Sequence, residues 1–200
     1  MKKLITIICS LCLVLSLAAC GNSNSTPDAS QTPAAPGEEE IAVITIKDYG
    51  TVEVELNRAA APITVENFVK LVNEGFYDGL SFHRIIPGFM IQGGDPLGNG
   101  TGGSEESIKG EFSKNGVKNP IEHVRGTISM ARAADPDSAS SQFFIVHEDS
   151  TFLDGQYAGF GTVISGMEVV DAICESAVAI DNNGSIAAEN QPIIESIVIK

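Results

Sequence analysis

The sequence predicts a mainly β protein, in which eight short strands form a closed antiparallel barrel accompanied by two α-helices. Short runs rich in β-branched and aromatic residues recur between residues 41 and 200, separated by glycine, proline or asparagine. Two stretches show apolar residues at helical spacing instead. Eight strands is also the number that closes a barrel whose interior is just filled by side chains, and closure removes free sheet edges.

The first two strands are predicted at residues 41–46 and 51–56, and Lys47-Asp48-Tyr49-Gly50 joins them as a hairpin. In the second strand valine and leucine alternate with glutamate, which predicts one buried and one solvated face. Pro62 then opens a helix that stops near Gly75.

The rest of the chain supplies six more strands and the second helix. Residues 95–120 are rich in glycine, serine and asparagine and predict a long surface loop. The second helix is predicted at residues 167–176. The remaining strands are predicted at residues 82–85, 89–93, 126–131, 142–146, 159–164 and 193–199.

The N-terminal residues have a different character. Residues 1–3 include two lysines, and the apolar run at residues 4–19 is shorter than the roughly 20 residues of a membrane-spanning helix. Leu17-Ala18-Ala19-Cys20 places small residues directly before a cysteine, which resembles a bacterial lipoprotein signal that is cleaved before Cys20 and lipidated there. An ordinary secretory signal that contains a cysteine is the alternative. We expect an extracytoplasmic protein that lipid on Cys20 anchors to a bacterial membrane.

Residues 20–40 are predicted to be a flexible linker that begins at the lipidated cysteine. They are mostly Asn, Ser, Thr, Pro, Ala, Gln and Gly, end in three glutamates and show no apolar periodicity. The predicted organisation is therefore a signal at residues 1–19, a linker at 20–40 and one folded domain at 41–200.

Charge and cysteine content exclude several classes of function. Without Lys2 and Lys3 the chain keeps 10 basic residues against 26 acidic ones, a formal charge of −16. This charge argues against nucleic acid and against electrostatic binding to anionic lipid. Cys9 and Cys12 lie within the signal, so Cys174 is the one cysteine of the predicted domain. An internal disulfide and a cysteine metal site are therefore excluded.

The candidate site lies in the hairpin between residues 82 and 95, whose strands flank a Pro87-Gly88 turn. If both strands are extended, Arg84, Phe89, Met90 and Gln92 crowd one surface. This set of one cation, one amide and two apolar groups suits binding of an apolar group beside a carbonyl. It contains no acid or thiol and does not suit covalent catalysis.

Phe143 and Phe144 are adjacent in a predicted strand and must face opposite sides. One of them is expected in the core, and the other is free to line a site.

Other motifs have ordinary explanations. The glycine-rich run from Gly98 to Gly103 lacks the Gly-Lys-Ser/Thr ending of a phosphate loop. His83, His123 and His147 have no metal-ligand spacing. The serines at positions 138–141 lie outside any G-x-S-x-G motif and predict a turn. We expect neither a metal nor a cofactor.

Five blocks in register carry a resemblance to a known family. They are Phe82-His83-Arg84 with Gly93-Gly94-Asp95, Asn99-Gly100-Thr101-Gly102-Gly103, Gly126-Thr127-Ile128-Ser129-Met130-Ala131, Ser141-Gln142-Phe143-Phe144-Ile145 and Leu153-Asp154-Gly155. Together they resemble the cyclophilin-type peptidyl-prolyl cis-trans isomerases over residues 41–200. That family's fold is a closed eight-stranded barrel with two capping helices, in agreement with the element count.

The resemblance implies a role for each matched position. Arg84 corresponds to the catalytic arginine. The implied substrate-binding residues are Phe89, Met90, Gln92, Gly100, Thr101, Ala131, Phe144, Phe152, Leu153 and Tyr157. The implied substrates are proline-containing polypeptide clients, bound without a cofactor by a protein that we expect to be a monomer.

Two positions depart from the best-known eukaryotic pattern. Phe152 stands where many members have tryptophan, and Tyr157 stands where they have histidine. Both changes keep an aromatic wall, so isomerase activity is expected. Any cyclosporin binding is expected to be weak, because phenylalanine lacks the indole N–H donor.

Isomerase activity, with assistance to the folding of extracytoplasmic proteins, is the predicted function. The alternative is a non-catalytic module that binds proline-containing segments as a chaperone or adaptor. Retention of Arg84, Gln92 and Phe144 favours catalysis. A third reading, a lipoprotein that captures solutes for a transporter, fits the signal but suits a single domain of this size poorly.

Overall fold

The computed structural model describes residues 40–200, in which eight β-strands, two α-helices and three short 3₁₀ turns are present. Each strand end lies within one residue of its predicted position, and the second helix matches its predicted bounds. The predicted signal, Cys20 and the linker up to residue 39 lie outside the described residues. The elements are β1 (Glu40–Ile46), β2 (Gly50–Leu56), α1 (Pro62–Asn73), β3 (Phe82–Ile86), β4 (Met90–Gly93), β5 (Thr127–Met130), β6 (Phe143–Val146), β7 (Gly159–Ser165), α2 (Met167–Ser176) and β8 (Ile194–Ile199).

All eight strands belong to one curled antiparallel sheet with the order β3-β4-β6-β5-β7-β2-β1-β8. The predicted hairpin of β1 and β2 is confirmed, and so is the hairpin of β3 and β4. The described residues are therefore mainly β, and α1 and α2 are their two α-helices. Within residues 40–200, neither helix is long and apolar enough to cross a membrane.

The predicted closure of the barrel is not confirmed, because the outer strands β3 and β8 form no ladder with each other. One isolated bridge, between Ser81 and Ile193, links their ends. Further along β3, the free edge is taken by the segment around Gly184. Ile85 donates its N–H to Gly184 O at 2.8 Å, and Ile186 donates to His83 O at 2.9 Å. The sheet is therefore an open half-barrel whose β3 edge is covered by a loop, which also protects it from pairing with another chain.

The main core fills the concave side of the sheet under α1. Its centre is a cluster of fully buried aromatic rings whose centroids lie 5.2 to 6.0 Å apart. These rings belong to Phe68, Tyr77, Phe82, Phe143 and Phe160. Burial of each such side chain contributes about 1.5–3 kcal/mol. The predicted alternation in β2 is also confirmed, since Val52, Val54 and Leu56 are all buried.

The start of α1 depends on a carboxylate from the long loop. Ala61 at the N-terminus of the helix supplies no capping side chain. Instead, the buried Glu111 accepts hydrogen bonds from Ile63 N at 3.1 Å, Thr64 N at 2.8 Å and Thr64 Oγ1 at 2.7 Å. A carboxylate in this position satisfies the free N–H groups of the first turn and complements the helix dipole. The predicted surface loop is thus irregular, but part of it is buried and holds the helix.

We predict that Glu111→Gln lowers the free energy of unfolding by about 1–3 kcal/mol, because two backbone N–H groups, one of them buried, and one buried hydroxyl lose a charged acceptor. Denaturant unfolding followed by circular dichroism measures this loss. Glu106→Gln is the matched control, since Glu106 pairs with Lys70 of the same helix but is exposed. Its unfolding midpoint is expected to stay unchanged, and an equal loss in both variants would contradict the assignment.

Candidate functional site

A groove of about 380 Å³ lies over the outer face of β3, β4, β6 and β5. The sheet register explains its composition. Arg84 pairs across to Gln92, Gln92 to Phe144, and Phe144 to Ser129, so side chains from four neighbouring strands form one row. The groove is lined by His83, Arg84, Phe89, Met90, Gln92, Asn99, Gly100, Ala131, Arg132, Phe144, Leu153, Tyr157, Asn183 and Ser185.

Arg84 is held in a fixed orientation at one side of the groove. Its Nε donates to the backbone oxygen of Asn183 at 2.7 Å, and its Nη1 donates to Gln92 Oε1 at 3.1 Å. Its guanidinium carbon lies 6.0 Å from the centre of the Phe89 ring. Partial burial lowers the pKa of Arg84, and the negative charge of Asp181 opposes this shift. An arginine remains charged at neutral pH, so the groove carries a fixed cation.

A chain of amides connects this cation to the opposite side of the groove. Gln92 Nε2 donates to Gln142 Oε1 at 2.9 Å, and Gln142 Nε2 donates to Gly102 O at 2.7 Å.

The glycine-rich loop that follows β4 is itself fixed by Asp95, which accepts N–H groups from Leu97, Asn99 and Gly100. Although burial raises the pKa of Asp95, these backbone donors lower it below its usual value.

The apolar part of the groove is a second cluster, separate from the main core. Met90, Phe144, Val146 and Leu153 are buried in it, and Tyr157 packs against them. The rings of Phe144 and Tyr157 meet edge to face at 6.0 Å. The prediction for the adjacent phenylalanines is confirmed, since Phe143 lies in the main core and Phe144 lines the groove.

Two of the sequence-predicted substrate-binding residues lie beside the groove. Phe152 is 66% exposed and does not line the cavity, although its ring lies 5.5 Å from that of Phe89 at the rim. Thr101 lines a neighbouring depression that shares Gly100 and Gln92 with the groove. The other eight of those residues, and Arg84, all line the cavity.

Five groove residues were not among the predicted set. These are His83, Asn99, Arg132, Asn183 and Ser185. Asn183 and Ser185 belong to a turn in which Asp181 Oδ1 accepts both of their N–H groups, at 2.9 and 3.0 Å. The Asp-Asn-Asn-Gly-Ser composition indicates a turn, but nothing local indicates that it reaches Arg84, about one hundred residues earlier in the chain.

Arg132 is held by rings and carbonyls at the end of the groove. Its guanidinium lies between the rings of Phe112 and Tyr157, at 5.1 and 4.8 Å. Its Nε donates to Gln156 O at 3.0 Å, and Nη1 donates to Ala133 O at 2.8 Å. The side chain therefore joins three loops that border the groove.

The set of groups limits the chemistry. No carboxylate or thiol is among the groove-lining residues, and residues 40–200 contain no cluster of His, Cys, Asp or Glu arranged for a metal ion. What the groove offers is a fixed cationic donor beside an apolar pocket with amide groups along one side. Such a site suits a substrate with an apolar ring next to a peptide bond.

Comparison with known proteins agrees with this geometry. The sequence model of the family described as cyclophilin type peptidyl-prolyl cis-trans isomerase/CLD matches residues 41–199. Peptidyl-prolyl cis-trans isomerase B of Bacillus subtilis is 53% identical over 123 residues, which is 62% of this chain and 82% of that protein. A probable peptidyl-prolyl cis-trans isomerase of Brucella suis is 45% identical over 170 residues, 79% of this chain and 82% of the relative.

A solved structure has the same fold. It is a cyclophilin type peptidyl-prolyl cis-trans isomerase of Cryptosporidium parvum, crystallised in the presence of the dipeptide Ala-Pro. The match has a TM-score of 0.70 and 33% identity, and it covers 80% of this chain and 98% of that one.

His83 generates a prediction about pH. Its side chain is buried beside Arg84, and neither ring nitrogen has a hydrogen-bond partner among residues 40–200. Burial lowers the pKa of His83 below its usual value of 6.5; the Asp95 charge opposes this shift and the Arg84 charge adds to it. As pH falls below 6.5, His83 binds a proton in the unfolded chain but stays neutral in the folded chain. The free energy of unfolding therefore decreases.

We expect His83→Gln to lose less stability than the wild type between pH 7.5 and pH 5.5. Denaturant unfolding at a series of pH values measures both slopes. A slope that is equal or steeper in the variant would show that His83 is not neutral in the folded protein.

Proposed function

The chain belongs to the cyclophilin-type peptidyl-prolyl cis-trans isomerases and is itself a peptidyl-prolyl isomerase, and we propose that Arg84 carries the catalysis. One observation supports this assignment above the others. Arg84 is fixed through two of its nitrogens beside the apolar pocket that Phe144 and Leu153 form.

The reaction sets a simple requirement. An X-Pro bond rotates slowly, because amide resonance gives the C–N bond partial double-bond character. At the twisted transition state this resonance is lost, and the proline nitrogen becomes pyramidal and more basic. A donor directed at that nitrogen stabilises the twisted state more than either planar state, which lowers the barrier.

Arg84 meets this requirement because two of its three nitrogens are bound by the protein and the third is available to the substrate. Nε and Nη1 are occupied by Asn183 and Gln92. Nη2 makes no hydrogen bond within residues 40–200, so it is the group available to the proline nitrogen. Because the other two nitrogens are already bound, little reorganisation accompanies the approach of Nη2 to the twisted bond. No proton transfer and no covalent intermediate is needed.

The pocket holds the ring while the carbonyl side rotates. Met90, Phe144, Leu153 and Tyr157 enclose the prolyl ring in this proposal, and Phe89 forms the rim towards the exposed Phe152. Gln92 and the neighbouring backbone groups bind the flanking peptide. The Cryptosporidium parvum relative was crystallised in the presence of Ala-Pro, which supports a proline-containing peptide as the occupant of this groove.

We further propose that the enzyme acts outside the cytoplasm on newly exported proteins. The support is the sequence at residues 1–20, with its basic start, apolar run and small residues before Cys20. Lipid on Cys20 would hold a monomeric domain at the membrane. We also propose that cyclosporin binds weakly, since Phe152 offers no N–H donor at the exposed rim.

Arg84→Ala is expected to lower kcat by about a hundredfold, the scale seen when one preorganised donor to a transition state is removed. A proline-limited refolding assay measures the rate, and circular dichroism verifies the fold. Arg125→Ala is the matched control, because Arg125 pairs with Asp171 and does not line the groove. Unchanged catalysis in the Arg84 variant would refute the assignment and favour a groove that only binds.

Cys20→Ser is expected to abolish incorporation of a labelled fatty acid in a bacterial host, because the acyl chains attach to that cysteine. Cys174→Ser serves as the control, since Cys174 is buried in the folded domain. This variant keeps Cys20 and is expected to incorporate the fatty acid normally. Retention of label in the Cys20 variant would contradict the lipoprotein assignment.

A further inference from the structure

A polar chain of Asp154, His123 and Ser129, of which the last two are buried, lies behind the apolar wall of the groove. His123 Nδ1 lies 2.8 Å from Asp154 Oδ1, and His123 Nε2 lies 2.9 Å from Ser129 Oγ. His123 and Ser129 are fully buried. The mechanism proposed for Arg84 uses none of these three groups, so their arrangement needs its own explanation.

The order of the groups is that of an Asp-His-Ser hydrolase triad, but its surroundings exclude acyl transfer. Ser129 pairs with Phe144 across the sheet, is fully buried and does not line the groove. A nucleophilic hydroxyl must reach a substrate carbonyl, and this one is covered. The role that remains for the chain is structural and concerns what His123 touches.

Hydrogen bonds fix the His123 ring completely. Asp154 accepts both the backbone N–H of His123 and a ring nitrogen, each at 2.8 Å. A carboxylate only accepts, so Nδ1 carries the proton and Nε2 accepts from the Ser129 hydroxyl. Burial lowers the pKa of His123 despite the opposing effect of Asp154, which keeps this neutral form.

The fixed ring contacts the apolar walls of the groove. It stacks on Phe144 with ring centres 6.0 Å apart and meets Tyr157 edge to face at 6.5 Å. Its partner Asp154 directly follows Leu153 in the chain. The His123 backbone oxygen also accepts the N–H of Ser150 at 2.7 Å, at the start of the turn that carries Leu153.

We propose that His123 is a positioning residue, which holds Phe144, Tyr157 and Leu153 in the arrangement that receives the prolyl ring. This proposal rests on the proposed groove and extends it. The walls contact the ring in the planar and twisted states alike, so their displacement weakens substrate binding without changing the barrier from the bound state. A defect at His123 therefore raises KM, whereas a defect at Arg84 lowers kcat.

The test compares three variants of the full chain with a proline-containing tetrapeptide as substrate. His123→Asn keeps a donor for Asp154 but removes the ring, and KM is expected to rise roughly fivefold with kcat within a factor of about two. Ser129→Ala removes one of the bonds that fix the ring, so KM is expected to rise by a smaller factor. Glu111→Gln weakens a buried polar cluster at the start of α1, outside the groove lining, and is expected to leave KM unchanged.

The outcomes separate positioning from a general loss of stability. An unchanged KM in both His123→Asn and Ser129→Ala overturns the proposal. A KM increase in Glu111→Gln equal to that in His123→Asn also overturns it. A fall in kcat at constant KM also overturns it. If His123→Asn fails to fold, the KM of Ser129→Ala decides in the same way. If Arg84→Ala does not lower kcat, the catalytic role of Arg84 is refuted but the role of His123 is not. The two results are distinguishable because kcat tests Arg84, whereas KM tests the apolar walls of the groove.

Discussion

Backbone pairing across β3, β4, β6 and β5 sets Arg84 beside Gln92, Gln92 beside Phe144, and Phe144 beside Ser129. The rest of the site depends on this register. Side chains alternate between the two faces of a strand, so a slip of one residue would exchange Phe144 for Phe143 and bury the groove's floor in the core. The large core aromatics that pack under α1 oppose such a slip, because each must remain on the inner face. Stability of the core and geometry of the site are thus secured by the same hydrogen bonds.

Polar and apolar halves of the groove are supported separately. Loops fix the polar half: Asp95 gathers the backbone of the glycine-rich loop, and Asp181 forms the turn whose carbonyl binds Arg84. The apolar half has a buried support in His123. Isomerisation requires no bond to be made or broken, so rigid placement of a donor and a pocket is the whole of the protein's task. Fixed supports on both sides are consistent with that task.

Local patterns predicted the elements well, because strand alternation, helix periodicity and Pro-Gly turns act over a few residues. Strand alternation also placed Arg84 and Gln92 on one surface, and the resemblance to a known family selected Phe144 rather than Phe143; all three line the groove. Closure of the barrel is not confirmed, because residues 184–186 pair with the β3 edge that β8 would need for a full ladder, and no local signal shows that competition. Asn183, Arg132 and His123 were missed as site or support residues for a related reason. Each acts through contacts between segments far apart in the chain, which only the folded arrangement brings together.

The hydrogen bond from Arg84 Nε to the turn before β8 is accepted by the main-chain oxygen of Asn183. A backbone acceptor is present whatever side chain occupies position 183, so exchange of that residue leaves the guanidinium's partner in place. The path of the turn is far less tolerant. Gly184 has a φ of +82°, and a Cβ there would lie 2.7 Å from Ile85 O. The main-chain path of the turn, which Gly184 and the Asp181 side chain fix, therefore decides whether the acceptor reaches Arg84, and an insertion or deletion there would remove it.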